Sequence, residues 1–150
     1  MTEKEWVALV IARMEPLLAT KEPRLQLAQG ARLAYTEEIV AYKGETAEKR
    51  YSTRYETDLL ITEHLEDTTW VPRVVIEAKI NSVTTHDAIT YSQKAAAHKG
   101  VHPYLRYGII LGNRKHYPLP GRLYRHGAHF DFMQSWVSFE PTAAELDQLL

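Results

Sequence analysis

The sequence predicts an α/β protein with a mixed central sheet flanked by helices, in a single domain spanning residues 1–150. Three observations point there. A chain of 150 residues suits one domain and can bury roughly 70% of its unfolded surface. Helical periodicity with capping signals alternates with apolar runs of strand length. Those runs come after the first helical segments, with another helix between them, which is the pattern of a layered α/β fold.

Taken in order, "TEKE" is a capping box from Thr2 to Glu5 and opens a helix with Trp6, Leu9, Val10 and Met14 on one side. Pro16 ends or kinks it. Pro23 suits the first turn of a second helix through "RLQLAQGARLAYTEEIVAYKG", with Leu27, Ala31, Ala34, Glu38 and Ala41 at helical spacing and Gly44 as its stop. "YETDLLITEHL" and "WVPRVVIEAKI" read as neighbouring strands joined through the polar "EDTT". Residues 85–99 form a helix closed by Gly100. "LRYGIILG" is a buried strand, "NRKHYPLPG" a turn-rich loop, and "RLYRHGAHFDFM" one or two further strands. Thr142 with Glu145 caps a last helix.

The composition is that of an ordinary globular chain, 45% hydrophobic and 25% charged. No apolar stretch approaches the ~20 residues that span a bilayer. The first residues lack a signal peptide's basic start, and there is no cysteine, so neither disulfides nor thiolate chemistry is expected. A cytoplasmic setting follows as the expectation. The net charge of −1 hides an uneven distribution: residues 79–130 hold 8 Lys/Arg against Asp87 alone, while both flanks are acidic. A basic block beside an acidic cluster suits a polyanion substrate.

The acidic cluster begins with "VVIEAKI". Alternation sets Val74, Ile76, Ala78 and Ile80 on one face of this strand, and Val75, Glu77 and Lys79 on the other. One explanation is a salt bridge between neighbouring positions of a strand near the sheet edge. The preceding strand offers another, because Asp58 heads its own apolar run. If the two strands pair through their turn, Asp58 and Glu77 converge. Two carboxylates together repel and call for a cation, and a hard divalent ion is the natural partner of oxygen ligands. Lys79 beside them can orient a water or neutralise charge developing on a phosphate.

Asp58, eighteen residues, then Glu77-Ala78-Lys79 resembles the signature of the PD-(D/E)XK nucleases, the restriction-endonuclease-like superfamily. The family's core order of helix, three antiparallel-type strands, helix and strand matches residues 24–112. Thr57 stands where a proline often precedes the aspartate, a replacement the family tolerates. The resemblance implies metal ligation by Asp58, Glu77 and the Ala78 carbonyl, with Mg²⁺ as the cofactor and Mn²⁺ as a substitute. It implies activation of water by Lys79. It also implies a helical glutamate upstream, for which Glu38 is preferred over Glu37, and a glutamine on the following helix, matched by Gln93 with Lys94 beside it.

Other residues are less telling. Gly100 spoils His98 and His102 as a helical metal pair, and His126 and His129 straddle Gly127. Ser92 and Ser135 lack a nucleophile elbow. Arg114, Lys115 and His116, extending to Arg122 and Arg125, make a basic loop suited to phosphates, with Lys94, Lys99 and Arg106 as a second basic group. The expected function is therefore a Mg²⁺-dependent DNA endonuclease, a homodimer by resemblance, with no membrane partner and no organic cofactor. The alternatives are a non-catalytic nucleic-acid-binding module of the same fold and a structure-specific junction or repair nuclease.

Overall fold

The computed structural model describes residues 1–115 and 119–150. Along the chain run α1 (Glu3–Lys21), β1 (Leu25–Gln29), β2 (Arg32–Lys43), β3 (Thr46–Glu56), β4 (Leu59–His64) and β5 (Trp70–Ile80). They are followed by α2 (Thr85–Val101), β6 (Arg106–Gly112), α3 (Gly121–His126), β7 (Phe132–Ser135) and α4 (Ala143–Leu149). Five strands form one sheet in the order β1-β4-β5-β6-β7, and β2 pairs with β3 in a separate ribbon. The β1–β4 and β4–β5 pairs are antiparallel, while β5–β6 and β6–β7 are parallel. The sheet is therefore mixed, with β5 at its centre rather than near an edge.

Helices cover both faces, which is why β5 is apolar on both sides. Trp6, Val7, Val10, Met14 and Leu18 of α1 pack on Leu59, Ile61, Ile76, Ala78 and Ile110. On the opposite face Ala95 of α2 packs with Leu60, Val75, Leu105 and Tyr107. Threonine-led capping boxes open α1, α2 and α4, those at Thr2 and Thr142 matching the expected starts. Pro16 does not end α1. Ala12 and Pro16 are both exposed, so water can reach the carbonyl that the proline leaves without a donor.

Four expectations need correction. Residues 24–44 are not a helix but β1 and β2. Tyr35, Thr36, Ile39, Val40 and Tyr42 are aromatic or β-branched and favour strands, which outweighs the coincidental helical spacing of the alanines. Gly44, at φ +60°, is not a helix stop; it opens the two-residue turn between the paired Lys43 and Thr46. Residues 122–133 are half helix: α3 comes first, then β7. Gly100 does not close α2, which runs to Val101 with His102 as its cap.

Candidate active site

At the end where β4 begins, the chain leaves the ribbon through Thr57 and enters the sheet at Leu59. Leu59 lies opposite Ile76, so the next step of the antiparallel register sets Asp58 beside Glu77. The Asp58 carboxylate accepts the Ala78 N–H through Oδ2 at 2.9 Å, taking over a backbone donor just where the β4 ladder stops. Asp58 and Glu77 thus converge on the α2 face of the sheet. Burial, reinforced by the charge of Glu77, pushes the Asp58 carboxyl up from its ordinary 3.8 to about 6.

Glu77 is 2% exposed and would be untenable unpaired. The Lys94 ammonium donates to its Oε1 at 2.9 Å, and the Tyr107 hydroxyl donates to the same oxygen. Burial and the adjacent Glu77 hold Tyr107 well above the usual phenol range, so it remains a donor. Both bonds fall on Oε1 and the Ala78 bond falls on Asp58 Oδ2. Asp58 and Glu77 also lie within hydrogen-bonding reach of one another, so a proton on Asp58 can be shared between the two carboxylates.

Glu77 and Lys79 do not pair with one another. Lys79 reaches past the strand to Glu3 in the first turn of α1, with Nζ 3.1 Å from Oε2. Burial works against the ammonium, but the nearby Tyr91 hydroxyl and Glu3 more than offset it and raise Lys79 above the usual lysine range. Its Nζ lies 5.1 Å from the Tyr91 ring centre, and Lys94 lies 5.0 Å from the same ring and 4.5 Å from that of Tyr55. Beside the group, Glu3, Lys4, Val7, Gln29, Gly30, Glu56, Thr57 and Asp58 line an open cleft of about 440 Å³.

Two expected site residues are elsewhere. Glu38 lies opposite Tyr51 on the ribbon, exposed to solvent, because its segment is a strand and not the expected helix. Gln93 points to solvent from the outer face of α2, and the adjacent Lys94 turns inward instead. Among the described residues no group of three or more His, Cys, Asp or Glu side chains forms a ready-made metal cage.

The basic residues are dispersed. Lys94 is buried against Glu77 and so cannot be a surface contact for phosphate. Lys99 donates to the His129 carbonyl at 2.6 Å and faces Asp131 at 3.3 Å. Arg122 donates to the Val83 carbonyl at 3.1 Å, and Arg125 is exposed in the last turn of α3. Arg114 donates to the Asn81 carbonyl at 3.3 Å, where Asn81, Asn113, Arg114 and Lys115 line a second cleft at the ends of β5 and β6. Lys115 is exposed, and His116 lies outside the described residues.

Sequence reasoning missed Glu3, Tyr91 and Tyr107. Glu3 sat in a stretch already explained as a helix cap. Tyr91 did leave a signal, since it lies one turn before Lys94 and so shares its helical face.

Fold and site together define a mixed α/β protein with an acid–lysine cluster at the mouth of its central strands. No family model and no curated protein matches the chain. Among the described residues no helix is long and apolar enough to cross a membrane.

Proposed function

We propose that this chain is a divalent-metal-dependent nuclease of the PD-(D/E)XK type, acting on DNA. The observation that carries the reading is the convergence of Asp58 and Glu77 on adjacent strands, with Lys79 two residues on. Burial, with the charge of Glu77 added, pushes the Asp58 carboxyl to about 6, a cost of ionisation that a bound cation would relieve. The donor set also fits a hard ion: two carboxylates on adjacent strands, one anchored by the Ala78 N–H and the other by Lys94 and Tyr107. The order α1, then antiparallel β1, β4 and β5, then α2 and parallel β6 supports a restriction-endonuclease-like core, with the β2–β3 ribbon inserted between its first two strands.

In this reading Asp58 and Glu77 hold Mg²⁺ or Mn²⁺, which supplies Lewis-acid stabilisation of phosphoryl oxygens. Lys94 and Tyr107 fix the Glu77 carboxylate in place through Oε1. Lys79, held protonated, is unsuited to take a proton from water. It instead donates to the water or to the phosphate and neutralises charge there. Glu3 takes the part of the upstream helical glutamate first given to Glu38, since it opens α1, lines the cleft with Asp58 and positions Lys79. Lys115 and Arg125 remain the exposed contacts for phosphate.

The test is incubation of purified protein with plasmid, linear and branched DNA in Mg²⁺, Mn²⁺ or EDTA. Cleavage in the metals alone, lost in Asp58→Asn, supports the reading. Undiminished cleavage in EDTA overturns it.

A further inference from the structure

Asn81 and Asn113 follow directly on the ends of two paired parallel strands. The register of β5 and β6 sets Ile80 beside Gly112, so the two asparagines come next, side by side. Both adopt the left-handed backbone, at φ +63° and +55°. Each is pinned there. The Asn81 N–H donates to the Gly112 carbonyl at 2.9 Å, and the Asn113 N–H to that of Ser138 at 3.3 Å. Arg114 adds a bond from Nη1 to the Asn81 carbonyl at 3.3 Å. Glycine would serve either turn as well, so the backbone alone gives no reason for two amides here.

The amides bond to each other. Asn113 Nδ2 donates to Asn81 Oδ1 at 2.7 Å, holding both side chains on the wall of a cleft of about 360 Å³ shared with Arg114 and Lys115. An amide carries two donor hydrogens and one acceptor oxygen, and among the described residues no other side chain engages this pair. Asn81 Nδ2 therefore remains a donor and Asn113 Oδ1 an acceptor. Exchanging nitrogen and oxygen in both amides leaves the same remainder, one donor beside one acceptor.

That remainder discriminates among base edges. In the major groove adenine presents the N7 acceptor and the N6 amino donor, which match it. Guanine presents two acceptors, N7 and O6, so its O6 would face the Asn113 oxygen with no hydrogen between them. Cytosine offers only its N4 donor and thymine only its O4 acceptor. The cleft suits a polyanion, since its described lining holds two cations and no carboxylate.

We propose that the Asn81–Asn113 pair reads an adenine through the major groove of duplex DNA. Asn81 lies two residues beyond Lys79, about 7 Å along the strand, which places that adenine within roughly two base steps of the cut. The place beside the cut rests on the nuclease reading, whereas the contact itself needs only duplex DNA.

The test is equilibrium binding of the full chain in Ca²⁺ to three duplexes of equal length. One is alternating A·T, one alternating G·C, and one alternating A·T with 7-deazaadenine, which lacks the N7 acceptor. Wild type should bind the A·T duplex roughly tenfold more tightly than the G·C duplex, the discrimination a bidentate amide contact gives. The 7-deazaadenine duplex should lose most of that advantage. Asn113→Gly removes the acceptor and should bind A·T and G·C alike. In Asn81→Asp both remaining groups are acceptors, so preference should move to the cytosine amino group and the G·C duplex. Glycine and aspartate adopt the left-handed backbone readily, so both variants should keep the wild-type circular dichroism. A wild type that binds the duplexes equally or not at all would overturn the proposal, as would indifference to 7-deazaadenine. So would an A·T preference that persists in Asn113→Gly or Asn81→Asp, because groove shape would then be its source. An A·T preference abolished in Asn113→Gly, in a protein that cuts no DNA in Mn²⁺, would sink the nuclease reading and leave this contact standing.

Discussion

The Lys94 ammonium lies 2.9 Å from Glu77 Oε1, and the two side chains are only 9% and 2% exposed. This pair is what makes a carboxylate tolerable in the middle of a five-stranded sheet. Removing one partner leaves a buried charge uncompensated, a change that typically costs about 3–5 kcal/mol. Lys94→Met should therefore lower the urea midpoint sharply with an unchanged m-value. If a cation binds beside Glu77, Mg²⁺ should raise the melting temperature of this variant more than that of wild type.

Asp58 gives the metal-free protein a distinctive pH dependence. Its carboxyl is raised to about 6 in the folded state against an ordinary 3.8, so the folded chain binds this proton more tightly than the unfolded chain. The contribution is fully present below 3.8 and is lost as pH rises through 6. At roughly 1.4 kcal/mol per pH unit, the loss by pH 7–8 is about 3 kcal/mol. Asp58→Asn should remove it, leaving the variant more stable than wild type at pH 8 without metal. Urea titrations of both proteins from pH 5 to 8 read the difference, and parallel curves would remove the raised Asp58 carboxyl from the account.

His98 should behave in the opposite sense. It is buried, donates through Nδ1 to Ala34 and stacks on Tyr107, and burial depresses its imidazole to about 4. Its stabilising effect is full above about 6.5 and is lost as pH falls toward 4. The His98 imidazole should stay neutral at pH 5.5 when followed by NMR, and His98→Gln should delete that resonance. Because this ring ties the ribbon to α2, the same variant should speed amide exchange in β2.

Lys79 should be required for turnover but not for metal. Lys79→Ala should reduce cleavage by two or more orders of magnitude, roughly what a positioned charge-stabilising donor contributes. Calorimetric Mn²⁺ affinity should hold or rise, because a positive charge leaves the cation's neighbourhood. Glu3→Gln should reduce cleavage less, through a mispositioned Lys79.

Lys115 should contribute to DNA affinity without touching chemistry. Each phosphate contact on duplex DNA adds roughly 0.9 to the slope of log affinity against log salt. Lys115→Ala with Arg125→Ala, assayed in Ca²⁺, should flatten that slope by about one to two units.

What the sequence revealed depended on how local the evidence was. Alternation along residues 74–80 was enough to put Glu77 and Lys79 on one face, and the apolar run after Asp58 was enough to set the partner strand. The α1 and α4 starts were legible because a capping box lies within four residues. The ribbon was not, because alanines at three- and four-residue spacing imitate a helix when the cross-strand partner is unknown. Glu3 was invisible as a site residue for a different reason. It is brought to Lys79 only by the packing of α1 across the sheet, and no local pattern records that contact. Lys94 and Gln93 differ by a single helical step of 100°, and only the contact with Glu77 decides which one faces inward.

The central claim is that Asp58 and Glu77 form one cation-dependent centre for phosphodiester cleavage. The most direct measurement is cleavage of supercoiled plasmid by wild type and by Glu77→Gln, each in Mn²⁺ and in EDTA, with folding verified by circular dichroism. The account predicts nicked and linear products from wild type in Mn²⁺ alone, and none from Glu77→Gln under any condition. A folded Glu77→Gln protein that cleaves like wild type would contradict it.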